Sequence, residues 1–127
     1  MTTTTNSPLQ ISLDQPGMIA LRDETPLAAA GIARHIVLDS GKTRVLLLTL
    51  PAGKGLPEHA TPGRALIQIL NGQCEFTFGE KKVPLRAGDL LHIPPGLPHS
   101  VSAKKHFSML LTQSFEAEGV TSSSAPF

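Results

Sequence analysis

Eleven glycines and eleven prolines are spread through 127 residues, so the chain is cut into short pieces. No long 3.6-residue period survives between them, and short strands joined by turns are what remains. The sharpest single signal is Asn71-Gly72, flanked by "RALIQIL" (64–70) and "QCEFTF" (73–78). Asn-Gly between two strand-like runs favours a two-residue hairpin, because both residues tolerate positive φ. In the second run Cys74, Phe76 and Phe78 alternate with Gln73, Glu75 and Thr77, which predicts one buried and one wet face.

The same reading extends along the chain. Residues 32–40 and 43–53 flank Ser40-Gly41-Lys42 as a hairpin, and "KVPLRAGDLLHIPPG" gives two short strands around Ala87-Gly88-Asp89. "HSVSA" and "HFSMLLTQ" close the series, with Phe107, Met109 and Leu111 on one face. The best helical stretch, "ETPLAAAGIA" (24–33), is too short and glycine-broken to change the class. An all-β fold of antiparallel strands follows, either a barrel or a sandwich. We expect an N-terminal arm over residues 1–17, a barrel over 18–114 and a flexible tail over 115–127.

Composition narrows the function. The formal net charge is +1, with Lys81-Lys82 and Lys104-Lys105 as the basic pairs, so no concentrated positive face exists for nucleic acid. No run approaches the roughly 20 apolar residues of a membrane span. The N-terminus "MTTTTNSPLQ" has neither the basic nor the apolar region of a secretory signal, and a cytoplasmic location is expected. The single cysteine, Cys74, excludes an internal disulfide and a cysteine-based zinc cage, and its place among phenylalanines predicts a buried, inert thiol.

Two stretches carry chemistry by their spacing. Residues 53–72 run G-x5-H-x-T-x3-A-x6-G, from Gly53 through His59, Thr61 and Ala65 to Gly72. Residues 88–99 run G-x5-P-x-G-x2-H, from Gly88 through Pro94 and Gly96 to His99. These resemble the two signature motifs of the cupin superfamily, G-x5-H-x-H-x3,4-E-x6-G and G-x5-P-x-G-x2-H-x3-N. The resemblance implies a double-stranded β-helix, or jelly-roll barrel, over roughly residues 43–113.

It also implies where a site would be. In metal-bearing cupins the first motif supplies two histidines and a glutamate, and the second supplies one histidine. Only His59 and His99 match; Thr61, Ala65 and Ala103 stand at the second histidine, the glutamate and the final asparagine. Catalytic metal sites generally use three protein ligands, so two imidazoles imply at most a weakly held divalent transition metal. His92 is the first alternative ligand, ahead of His35 and His106, while Gln68 lies three residues from Ala65 and so on the opposite face. Glu58 beside His59 is a candidate base.

Three readings stay open. One is a small-molecule-binding cupin with His59, His99, Thr61 and Ile67 at the ligand, in a pocket shared with Ile69, Phe76, Leu91 and Ile93. The second is a metal-dependent, dioxygenase-like enzyme using His59, His99 and a further ligand. The third is a closed barrel serving assembly. A homodimer is expected, because residues 43–50, "TRVLLLTL", are apolar on both faces and need an outer cover.

Overall fold

The computed structural model describes residues 10–21 and 31–115. Among them are nine strands and no α-helix: β1 Ala33–Asp39, β2 Thr43–Leu50, β3 Gly55–His59, β4 Arg64–Asn71, β5 Gln73–Phe78, β6 Lys81–Arg86, β7 Leu90–Ile93, β8 His99–Ala103 and β9 Phe107–Ser114. All neighbours run antiparallel. A five-stranded sheet has the order β1-β2-β9-β4-β7, and a four-stranded sheet has the order β3-β8-β5-β6. Residues 24–30 of the helical stretch, and the ends 1–9 and 116–127, lie outside the described residues.

The turns explain the register. Gly41 and Gly72 take φ of 89° and 81°, closing the β1–β2 and β4–β5 connections. At Gly72 the need is absolute, because a Cβ there would fall 1.9 Å from the carbonyl oxygen of His106. Gly88, at φ 96°, turns the chain from one sheet to the other. Its N–H donates to the Ile69 carbonyl at 2.8 Å, and the Asp89 carboxylate accepts from the Arg86 N–H at 2.9 Å. The two short strands expected around this turn therefore separate, β6 pairing with β5 and β7 with β4.

Strand β3 was not expected from the sequence. Pro57 lies within it, and proline lacks the N–H a central strand must donate. The structure accommodates it by placing β3 at an edge, just as Pro84 lies in β6 at the opposite edge of the same sheet.

Between the sheets the core is formed by Leu46, Leu48, Leu50, Phe76, Phe107 and Met109 with their neighbours. The other face of β2 is also buried, and the molecule covers it itself. Leu47 packs with Val37 in a second cluster against Ile11 and Ile19, and Ile11 N–H donates to the Val37 carbonyl at 2.7 Å. Beside it Thr49 and Ser108 share a buried hydroxyl hydrogen bond of 3.0 Å, which satisfies two polar groups that would each be costly unpaired. The apolar outer face of residues 43–50 thus finds a cover within the chain. Among the described residues no helix is long and apolar enough to cross a membrane.

Candidate functional site

His59 ends β3 and His99 begins β8, and the two are direct cross-strand partners. Their rings stand 4.5 Å apart between centroids, tilted by 58°. Each ring is fixed in the same way. His59 Nδ1 lies 3.0 Å from the Pro57 carbonyl and His99 Nδ1 lies 2.8 Å from the Leu97 carbonyl. A carbonyl only accepts, so each Nδ1 carries a proton, and in the neutral form of either ring the lone pair is on Nε2. His59 is exposed, whereas His99 is 7% exposed.

Both rings line one cavity of about 40 Å³, together with Thr61, Ala65, Ile67, Phe76 and Gln113 among others. The motif loops are tied together above it, Gly96 N–H donating to the Thr61 carbonyl at 2.8 Å. The Thr61 hydroxyl donates to the Gly63 carbonyl at 3.3 Å, so its proton is already committed. The volume accommodates one or two waters or a head group of a few atoms, far below the 300 Å³ or more of a typical ligand pocket.

The structure thus gathers His59, His99, Thr61 and Ile67, as the sequence led us to expect, and Ala65 and Phe76 with them. Ile69 and Ile93 sit in the core, and Leu91 packs against it. His92 is not brought to the site. Strand alternation turns it outward beside Leu66, where it is exposed and its Nε2 accepts from Arg64 Nη1 at 2.8 Å. His35 pairs with Leu47 on the outer face of β1, and His106 lies in the turn before β9. Glu58 is exposed, and neither it nor the outward Gln68 lines the cavity.

Gln113 is the residue the sequence reading passed over. It lies on β9 directly opposite Ala65 and lines the same cavity. The signal was present: Gln113 continues the alternation of Phe107, Met109 and Leu111.

The donor set does not fit the metal implied by the family motifs. Among the described residues no three His, Cys, Asp or Glu side chains are grouped to hold an ion. Two imidazoles, a committed hydroxyl and a neutral amide lack the anionic oxygen or third nitrogen that divalent metals take at such sites. Cys74, which is buried, does not compensate. Burial, and after it the negative charge of Asp89, pushes its thiol up to about 12, so it stays protonated at neutral pH.

Comparison with known proteins follows this geometry. The cupin domain profile matches residues 46–112. No curated protein matches the chain. Among solved structures, a conserved protein of unknown function from Streptococcus pyogenes is 21% identical with a TM-score of 0.74, covering 92% of this chain and 97% of that one. A cupin superfamily protein from Desulfitobacterium hafniense is 22% identical with a TM-score of 0.75, covering 84% and 98%. A salicylate 1,2-dioxygenase variant from Pseudoaminobacter salicylatoxidans is 22% identical with a TM-score of 0.61, covering 74% of this chain and 30% of that one. At these identities the likeness is one of fold.

Proposed function

The chain belongs to the cupin domain family, and from that premise we propose that it binds a small ligand in the barrel, with His59 and His99 as the polar anchors. One observation carries this reading. Both imidazoles spend Nδ1 on a backbone carbonyl two residues earlier, which leaves two Nε2 lone pairs at one cavity. Orienting a ring through its second nitrogen is how proteins hold imidazoles that must meet a ligand. Two acceptors side by side select a ligand that brings a proton. It is either a phenol or alcohol O–H that donates, or a carboxylic acid that passes its proton to one Nε2 and accepts the resulting N–H. The Gln113 amide adds one donor and one acceptor function.

The test is an NMR titration of the histidine ring protons with phenol and small carboxylic acids, paired with thermal unfolding. Joint saturable shifts of His59 and His99, with a raised melting temperature, support the proposal. Shifts of neither ring sink it. A metal-dependent oxygenase would use the same two nitrogens, but among the described residues no third His, Cys, Asp or Glu is grouped with them. Metal analysis of protein purified without a metal-affinity tag separates the two, and a stoichiometric ion that survives mild chelation favours the oxygenase.

Two features of the wider setting belong to the same reading. The lone protonated thiol suits a reducing cytoplasm. A homodimer covers the outer face of the five-stranded sheet, where Leu66 and Leu90 remain 42% and 66% exposed. Light scattering that returned 13.4 kDa at micromolar concentration would count against it.

A further inference from the structure

The histidine cavity is too small for a whole organic molecule, yet an apolar groove of about 390 Å³ opens beside it. This groove lies at the seam where the edges β6 and β7 of the two sheets approach. Phe78, Val83, Leu91 and Leu97 give it apolar walls, with Lys81 and His92 also lining it. The cavity and the groove share no lining residue, but two structural elements join them.

The first is a triangle of rings. Phe78 lies 6.3 Å from His99 and 6.4 Å from Phe76 between centroids, and Phe76 lies 6.5 Å from His99. Phe76 and His99 face the cavity while Phe78 faces the groove, so one layer of rings is the partition. The second is Leu97, whose side chain lines the groove while its carbonyl holds His99 Nδ1. Occupation of the groove therefore touches the residue that orients the buried histidine.

We infer that the ligand is a small amphiphile, with an acidic O–H that meets His59 and His99 and an apolar body that lies in the Phe78–Val83–Leu97 groove. This rests on the proposed anchoring by the two histidines and names the class of molecule they anchor. The chemistry of the two spaces supplies the division. The small cavity offers His59, His99, Thr61 and Gln113 among otherwise apolar walls, whereas the groove is walled mainly by Phe78, Val83, Leu91 and Leu97. An O–H therefore finds its partners in the cavity, and a longer hydrocarbon body finds room only in the groove. Phe78, partly buried and standing between the two spaces, would have to turn aside for one molecule to occupy both.

The experiment compares phenol with 4-butylphenol, and butyric with octanoic acid, by calorimetry and by NMR of the His99 ring and the Val83 and Leu97 methyls. The longer member of each pair should bind at least tenfold more tightly, shifting His99 and Val83 together. Binding by one pair alone assigns the head group as phenol or carboxylic acid. Val83→Gln should remove the gain and leave phenol or butyric acid binding intact. Should that edge-strand variant fail to fold, the isosteric Val83→Thr, which keeps a strand-compatible side chain, takes its place. Equal affinity of long and short members, with His99 shifting and Val83 silent, overturns the inference while the histidine anchoring stands. Silence at His99 with every probe overturns both. Val83 and Leu97 signals that move on protein dilution and ignore the probes assign the groove to a second copy of the chain, and the inference falls.

Discussion

The two walls of the histidine cavity are built from the same kind of strand and carry opposite chemistry. On the four-stranded sheet, His59 and His99 pair across β3 and β8, each ring fixed by a backbone carbonyl. On the five-stranded sheet, Ala65, Ile67, Met109 and Leu111 face them, and Gln113 is the one polar side chain there. The lesson is that the barrel does not depend on a complete ligand set. Turn glycines and backbone pairing hold the motif frame, so cavity side chains vary without moving the strands that bear them.

The most severe way to break this contrast is to give the apolar wall the missing ligands. Thr61→His with Ala65→Glu should create a three-histidine, one-carboxylate set suited to iron, manganese, nickel or zinc. Metal content should rise from well under one to nearly one per chain. At a hundredfold excess over Kd, added metal should stabilise the variant by about 2.7 kcal/mol and the wild type far less. The new carboxylate is costly in an apolar pocket without metal, so unfolding is compared with and without the ion. A folded variant that binds nothing would show that Thr61 and Ala65 do not converge with the histidines.

A second test attacks the frame on the histidine wall. Gly96 sits at φ 79° between Pro94 and His99, in open space that would admit a side chain. Gly96→Val should therefore cost about 1–3 kcal/mol through backbone strain alone, read as a lowered melting temperature. An unchanged melting temperature refutes the turn as the source of rigidity.

The mildest test converts the one amide. Gln113→Glu places a carboxylate opposite Ala65 with no change in length, and should raise zinc affinity about tenfold, roughly 1.4 kcal/mol, measured by competition with a chelating dye. If affinity does not move, Gln113 does not reach an ion held by the two imidazoles.

Much of this architecture was legible before any coordinates. Asn71-Gly72 announced its hairpin because the turn demands positive φ, and the alternation around Phe76 announced a buried face. Both glycine frames placed His59 and His99 together for the same reason, since turn geometry leaves a local mark. What was hidden depends on partners distant in sequence. Pro57 reads as a strand breaker until an edge position relieves it. The two short strands flanking Gly88 carry no mark in the sequence that each belongs to a different sheet. His92 looks like a ligand until the pleat turns it outward, and Gln113 becomes visible at the cavity only once β9 lies against β4.

That position of β9 has a consequence for how the molecule is made. The last described strand is not at a margin: it sits between β2 and β4, at the middle of the five-stranded sheet. During synthesis β2 and β4 emerge first and must wait, each with an unpaired row of amides, for the strand that belongs between them. Long-range pairing of this kind slows folding and exposes aggregation-prone edges on the nascent chain. A ribosome paused before residue 107 would hold two half-sheets with nothing to join them, and only completion of residues 107–114 lets the barrel close.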